Sequence, residues 1–217
     1  MIKIKKNNWG EITLNDYKRI VEIIDDETLS DAEKDIALIS ILCEVPEDEI
    51  WALTIDEVIE LKRDMLFLEA GFTYPNLSFK KIKIGNWNCT INPDLSKLTY
   101  AQFVDFQTYV KDVDKQGHPK KRAEILSVFF IPEGHKYGDG YNIVELQQAI
   151  GENISILTYN SVWSFFTERS RSSLSHLATS LAYKMKAMSL LMRKSNPLKE
   201  KYKEMAKTLM AIPNIVG

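Results

Sequence analysis

The sequence predicts a mainly α-helical protein of the α+β class, with helix pairs, a short N-terminal strand, a β-hairpin and long C-terminal helices. Three observations predict it. Helix-capping pairs precede apolar residues at helical spacing, two short segments alternate apolar with charged residues, and the C-terminal part carries a long helical apolar ridge. The 217 residues are 45% hydrophobic and 27% charged, as is usual for a folded globular chain.

Two segments have the period of a half-buried strand. Isoleucine alternates with lysine in residues 2–5 and again in residues 81–84. Gly85-Asn86 follows the second segment and is a plausible two-residue hairpin turn. Residues 87–91, with Trp87, Cys89 and Ile91, would form the returning strand. The sequence therefore predicts one N-terminal strand and one hairpin.

The helices are predicted from their first turns. An N-cap side chain is followed three residues later by an acidic or amide side chain at five places: Thr13 with Asp16, Ser30 with Glu33, Thr54 with Glu57, Thr99 with Gln102, and Asn142 with Glu145. Pro46 is predicted to end the second helix and to start a short turn at residues 47–51, while Gly71 ends the third helix. A further helix, starting after Pro119, is predicted to run to Pro132.

An internal duplication is a second hypothesis about the body. Each unit would be a strand followed by a helix pair, with Thr13 to Ser40 spanning about the same distance as Thr99 to Ser127. Chance similarity between two capped amphipathic helix pairs is the alternative. The predicted segments are 1–75 and 76–150 for the two units, and 151–217 for a basic C-terminal segment.

The C-terminal segment differs from the rest in its charge and its apolar pattern. Up to Glu168 there are 18 basic and 28 acidic residues, a net charge of −10, whereas from Arg169 there are 10 basic and 2 acidic residues, a net charge of +8. Its apolar ridge consists of Leu174, Leu177, Leu181, Met185, Met188 and Met192. Its basic residues are Arg169, Arg171, Lys184, Lys186, Arg193, Lys194, Lys199, Lys201, Lys203 and Lys207. This segment could bind another copy head to tail, contact nucleic acid nonspecifically, or remain a solvated surface.

No arrangement typical of catalysis or metal binding is found in the sequence. His118, His135 and His176 lie in three separate segments, and Cys43 and Cys89 lack a CxxC spacing. The glycine-containing loop 134–141 lacks the residue order of a phosphate-binding loop. We therefore expect no enzyme activity, no catalytic or metal-binding residues and no cofactor, and we expect both cysteines to be reduced and packed as small hydrophobes.

The sequence shows neither a transmembrane pattern nor a signal-peptide pattern. The sequence has no apolar stretch of transmembrane length, and residues 1–7 lack the apolar core of a signal peptide. The expectation is a protein that stays in the cytosol where it is made.

Two sets of apolar and capping motifs resemble small structural and assembly proteins of tailed phages, notably phages of Bacteroidetes. The first set is Trp9-x-x-Ile12-Thr13-Leu14-x-x-Tyr17, Asp35 to Pro46, and Leu66-Phe67-Leu68. The second set is Leu98-Thr99-x-x-Gln102-Phe103-x-Asp105, Ile125 to Pro132, Tyr137, Tyr141 and Phe165-Phe166. The resemblance covers about residues 1–170. It implies a role in the virion or its assembly, the nearest picture being a ring subunit below the portal of short-tailed, crAss-like phages, and it supplies no catalytic residues.

These observations give one leading hypothesis and two alternatives. The leading hypothesis is a non-enzymatic subunit of an oligomeric ring in the connector or tail of the virion, assembled in the host cytoplasm. Its partners would be copies of itself, through the apolar ridge, and other connector or tail proteins. The alternatives are a tail-assembly chaperone absent from the mature particle and a nonspecific nucleic-acid-binding protein that uses the basic C-terminal residues.

Overall fold

The computed structural model describes residues 2–70, 81–91, 98–114 and 118–166. The helices are α1 Leu14–Asp25, α2 Asp31–Cys43, α3 Glu47–Trp51, α4 Ile55–Asp64, α5 Tyr100–Tyr109, α6 Arg122–Phe129 and α7 Ile143–Asn153, with a 3₁₀ turn at Leu66–Leu68. A further helix, α8, begins at residue 156 and is described to residue 166. The strands are β1 Lys81–Ile84, β2 Trp87–Ile91 and β3 Phe130–Pro132. The predicted mainly helical α+β class is confirmed.

The predicted capping pairs begin their helices in the structure. Reciprocal capping boxes are present at the starts of α1, α2, α4 and α5, so each N-cap side chain and each third residue satisfies a free backbone N–H. At α7 the Asn142 side chain accepts from the backbone N–H groups of Val144 and Glu145. The predicted short helical segment after Pro46 is α3.

The predicted hairpin is the centre of a three-stranded antiparallel sheet in the order β1-β2-β3. Ile84 pairs with Trp87 across the turn, and Gly85 has a φ of 56°, which glycine adopts without a Cβ penalty. On its other edge β2 pairs with β3, so that Ile91 is opposite Phe130. The sheet thereby joins two segments that are far apart in the sequence.

The predicted N-terminal strand is wrong. Residues 2–5 pair with no strand among the described residues, although Ile2 and Ile4 are half-buried and pack against the core as their alternation suggests. The backbone N–H groups of Lys5 and Lys6 instead donate to the carbonyl oxygen of Leu42, at 2.9 and 3.2 Å. The last carbonyls of a helix lack intrahelical partners, so the end of α2 supplies the acceptor that a neighbouring strand would have supplied.

The predicted helix up to Pro132 ends three residues early, and a strand takes its place. α6 ends at Phe129, and Phe130 has extended backbone angles. A short run of valine, phenylalanine and isoleucine fits a buried helix or a buried strand equally well. Here the available edge of β2 favours a strand, because pairing with β2 provides hydrogen-bond partners for the backbone N–H and C=O groups of residues 130–132.

One hydrophobic core extends from Ile12 to Phe166 through the described residues. The start of α1 is joined to the connection between α7 and α8, since the N–H of Leu14 donates to the Ile154 carbonyl and the N–H of Ile156 to the Ile12 carbonyl, both at 2.9 Å. The predicted boundaries at residues 75 and 150 therefore do not separate cores. The described residues belong to one compact unit, Met1–Glu168, and residues 169–217 lie outside the described ranges.

The structure contains the helix pair of both proposed units but the predicted strand of only the second unit. The second helix of each proposed pair, α2 and α6, is largely buried, and each first helix begins with a capping box. The first unit lacks the predicted strand. The duplication itself stays a prediction.

The capping carboxylates predict how stability depends on pH. Hydrogen bonds from the hydroxyl and backbone N–H of Ser30 hold the pKa of Glu33 below its ordinary value, and those of Thr54 do the same for the pKa of Glu57. A carboxyl whose pKa is lower in the folded chain contributes stability above its unfolded pKa, and this contribution is lost as the pH falls through the folded value. We expect the free energy of unfolding to decrease as the pH falls below the ordinary value of 4.5.

The measurement is urea unfolding at a series of pH values from about pH 3 to 7, analysed by linkage. For the double variant Glu33→Gln/Glu57→Gln, the free energy of unfolding should decrease less steeply with falling pH than for the parent. Glu49→Gln/Glu60→Gln removes the same number of carboxyls at exposed positions outside the capping boxes and is the matched control. An identical decrease of the free energy of unfolding with falling pH in the parent and in the capping variant would contradict the prediction.

Candidate protein-interaction surfaces

The histidines and cysteines do not converge in the described part of the chain. His118 is an exposed side chain with Nδ1 3.8 Å from Asp114 Oδ1, His135 contacts the Tyr141 ring, and His176 lies outside the described residues. Within the described ranges there is no group of three histidine, cysteine or acidic side chains placed to hold a metal ion. Cys43 and Cys89 are buried free thiols, as predicted, and burial raises the pKa of Cys89 to about 11.

The glycine-containing loop 134–141 is held against α5. The hydroxyl of Tyr137 donates to Asp105 Oδ2 at 2.7 Å, and burial, together with that hydrogen bond, raises the pKa of Tyr137. Tyr141 packs edge-on against Trp87 of β2. These contacts fit the predicted role of a connecting loop.

A buried charged cluster, which the sequence patterns did not reveal, lies at the start of α6. Arg122 Nη2 is 3.2 Å from Asp114 Oδ2, and the two side chains are only 8% and 9% exposed. The guanidinium lies over the ring of Tyr17 at 4.9 Å and near that of Tyr159 at 6.0 Å. Its burial among core residues identifies the cluster as part of the packing. Arg122 is the first residue of α6, and no pattern in the sequence indicated that its side chain would be buried.

The sequence-predicted interface lies outside the described residues. This applies to the ridge of Leu174, Leu177, Leu181, Met185, Met188 and Met192. It applies equally to all ten basic residues from Arg169 to Lys207. The structure instead presents two surfaces on the body that the sequence did not single out.

The first surface is the outward face of α5. Tyr100, Phe103 and Val104 are 82%, 42% and 41% exposed and are neighbours at helical spacing, whereas the polar Gln102 is only 6% exposed. The Gln102 side chain accepts from the N–H and hydroxyl of Thr99 and donates to the Val128 carbonyl at 2.7 Å. The amide thereby fixes the rotation of α5 and leaves the aromatic side chains on the surface.

The second surface is a groove between α1, α2 and α3, with a volume of about 430 Å³. Its apolar lining consists of Ile23, Leu29, Ala37 and Trp51, and the Trp51 side chain is 58% exposed. Four carboxylates, of Glu22, Asp26, Glu33 and Glu47, line it together with the single guanidinium of Arg19, a net charge of −3. We call this surface the acidic groove.

One carboxylate of the acidic groove, that of Asp26, lies at a helix end whose dipole it does not offset, and the Lys34 ammonium donates to the Ile24 carbonyl at the same end. Glu47 lies in the first turn of α3, where its negative charge offsets the helix dipole. Asp26 is instead the C-cap of α1, whose last turn holds no basic residue, so it adds negative charge to the negative end of the helix. Hydrogen bonds from the hydroxyl and N–H of Thr28 hold the pKa of Asp26 below its ordinary value, which keeps this carboxylate charged.

Comparisons of the chain with protein-family models, curated proteins and solved structures gave no match. In the described residues, none of the helices combines the length and the apolar character needed to cross a membrane.

Proposed function

We propose that this chain is a non-enzymatic structural protein of a tailed phage, a subunit that forms an oligomeric ring in the portal-tail connector or tail. The observation that carries the proposal is the outward face of α5. Aromatic and apolar side chains that a solitary globular protein would bury are on its surface, while a polar amide occupies the buried side of the same helix. Clustered exposed apolar side chains are typical of surfaces that bind other proteins.

The phage assignment is supported by the resemblance of residues 1–170 to phage structural and assembly proteins, and self-association by the charge division along the chain. A body of −10 and a C-terminal segment of +8 attract each other between copies. Contact between two different surfaces of identical subunits is heterologous, and it produces a ring when the rotation closes.

The test is mass spectrometry of purified particles combined with light scattering of the purified full-length chain. We expect the protein to be present in the particle in several copies and to associate in a concentration-dependent way. Absence from particles, with transient binding to a tail protein, would favour an assembly chaperone instead. A monomer that is retained on heparin and released by modest salt would favour nonspecific nucleic-acid binding.

The α5 face gives the proposal a direct mutational test. The variant Tyr100→Ser/Phe103→Ser should fold with nearly the parental stability, because both side chains are exposed, yet be depleted from particles. Val144→Ser changes an apolar side chain that is 65% exposed on α7 and serves as the control. Undiminished incorporation of the double variant would contradict a role for this face.

A further inference from the structure

We propose that the acidic groove between α1, α2 and α3 is the docking site for the basic C-terminal segment, residues 169–217, of a second copy of this chain. The inference rests on the proposed ring function and names the surface of the body through which one copy receives the next.

The charges of the groove and of the segment are complementary. The groove lining has a net charge of −3. Glu22, Glu33 and Glu47 are exposed and Asp26 is half-buried, and the Glu22 carboxylate lies 3.9 Å from the Lys18 ammonium. The segment has a net charge of +8. A phosphate backbone would be repelled by the same carboxylates, so charge selects a basic protein segment over nucleic acid for this groove.

The apolar parts are complementary as well. The groove has Ile23, Leu29, Ala37 and Trp51 in its lining, and apolar side chains of this kind receive the apolar face of a helix in helix-in-groove recognition. The ridge residues Leu181, Met185, Met188 and Met192 recur at steps of four, three and four positions, the spacing of anchors in helix-in-groove recognition. Methionine sulfur packs favourably against aromatic rings, and the cations of lysine and arginine bind over the face of an indole. The exposed Trp51 can therefore contact either the methionine or the basic side chains of the segment.

A groove-to-segment contact joins two different surfaces and is therefore heterologous. Each copy would offer its groove to one neighbour and its segment to the other. This is the connectivity that a ring requires, and it allows the two halves of the contact to be disabled separately.

The experiment uses full-length variants and measures mass by light scattering and sedimentation. The groove variant Glu22→Lys/Glu47→Lys changes the net charge of the whole chain from −2 to +2 and leaves the capping boxes intact. The control Glu49→Lys/Glu60→Lys makes the same change in charge at two exposed positions outside the groove. The segment variant is Lys184→Glu/Lys186→Glu. Circular dichroism and urea unfolding establish that each variant is folded.

We expect the parent and the control to assemble, and the groove variant and the segment variant each to lose assembly at the same concentration. Mixing the two defective variants should give a dimer and nothing larger, because one intact groove meets one intact segment.

Three results would overturn the inference. If the groove variant assembles like the parent, copies associate through another surface and only the docking site is refuted. If the mixture stays monomeric while each variant is folded, the segment does not bind the groove of a second copy. If the parent itself is monomeric at all concentrations, the proposed ring function fails together with the inference, and segment binding within one chain becomes the explanation for any effect of the groove variant.

Discussion

Replacing Phe129 with alanine is expected to lower the free energy of unfolding by about 3–5 kcal/mol, the usual cost of truncating a buried phenylalanine. Phe129 is 2% exposed and stacks on Phe166 of α8, with ring centroids 3.9 Å apart and planes inclined by 15°. The ring of Phe106 from α5 meets it edge-on at 5.5 Å. Phe129 thus joins α5, α6 and α8, and its loss leaves a cavity where the three helices meet.

Phe103→Ala is the matched control, because it makes the same substitution on α5 where the ring is 42% exposed. Its effect should stay below about 1 kcal/mol, as for most surface substitutions. Urea unfolding followed by circular dichroism measures both. A loss of less than about 1 kcal/mol for Phe129→Ala would mean that the three helices are not packed around this ring.

Arg122→Met is expected to lower the free energy of unfolding by about 3–5 kcal/mol, because it removes the cationic partner from a buried ion pair. The carboxylate of Asp114 would stay in a site where it is only 9% exposed. The guanidinium that lies over the Tyr17 ring would also be lost. Methionine keeps much of the side-chain volume, so the effect reports mainly on the charge.

An exposed ion pair, formed by the residues two positions before Arg122 and Asp114, serves as the matched control. Lys120 Nζ lies 3.8 Å from Asp112 Oδ1, with side chains 57% and 47% exposed. Lys120→Met should cost less than about 1 kcal/mol, since exposed pairs contribute little. Equal effects of Lys120→Met and Arg122→Met in urea unfolding would show that burial does not distinguish the two pairs.

The local signals in the sequence predicted much of the fold and little of the surface. Thr13, Ser30, Thr54 and Thr99 start helices as predicted because a capping box closes within four residues and needs nothing else in the protein. The hairpin turn at Gly85 is determined in the same way. The predicted ridge and basic residues of the C-terminal segment lie outside the described residues, so their role as an interface stays a prediction.

The sequence by itself determined the helical class, the helix starts, the hairpin and the two buried thiols, since these depend on neighbouring residues or on hydrophobicity. Only the tertiary structure decided that residues 130–132 form a strand, because this needed the free edge of β2. It also left residues 2–5 without a strand partner in the described part of the chain. The rotation of α5 was decided in the same way, by a hydrogen bond from Gln102 to Val128 on another helix. That rotation places Tyr100 and Phe103 at the surface, an outcome that the spacing of apolar residues in the sequence does not reveal.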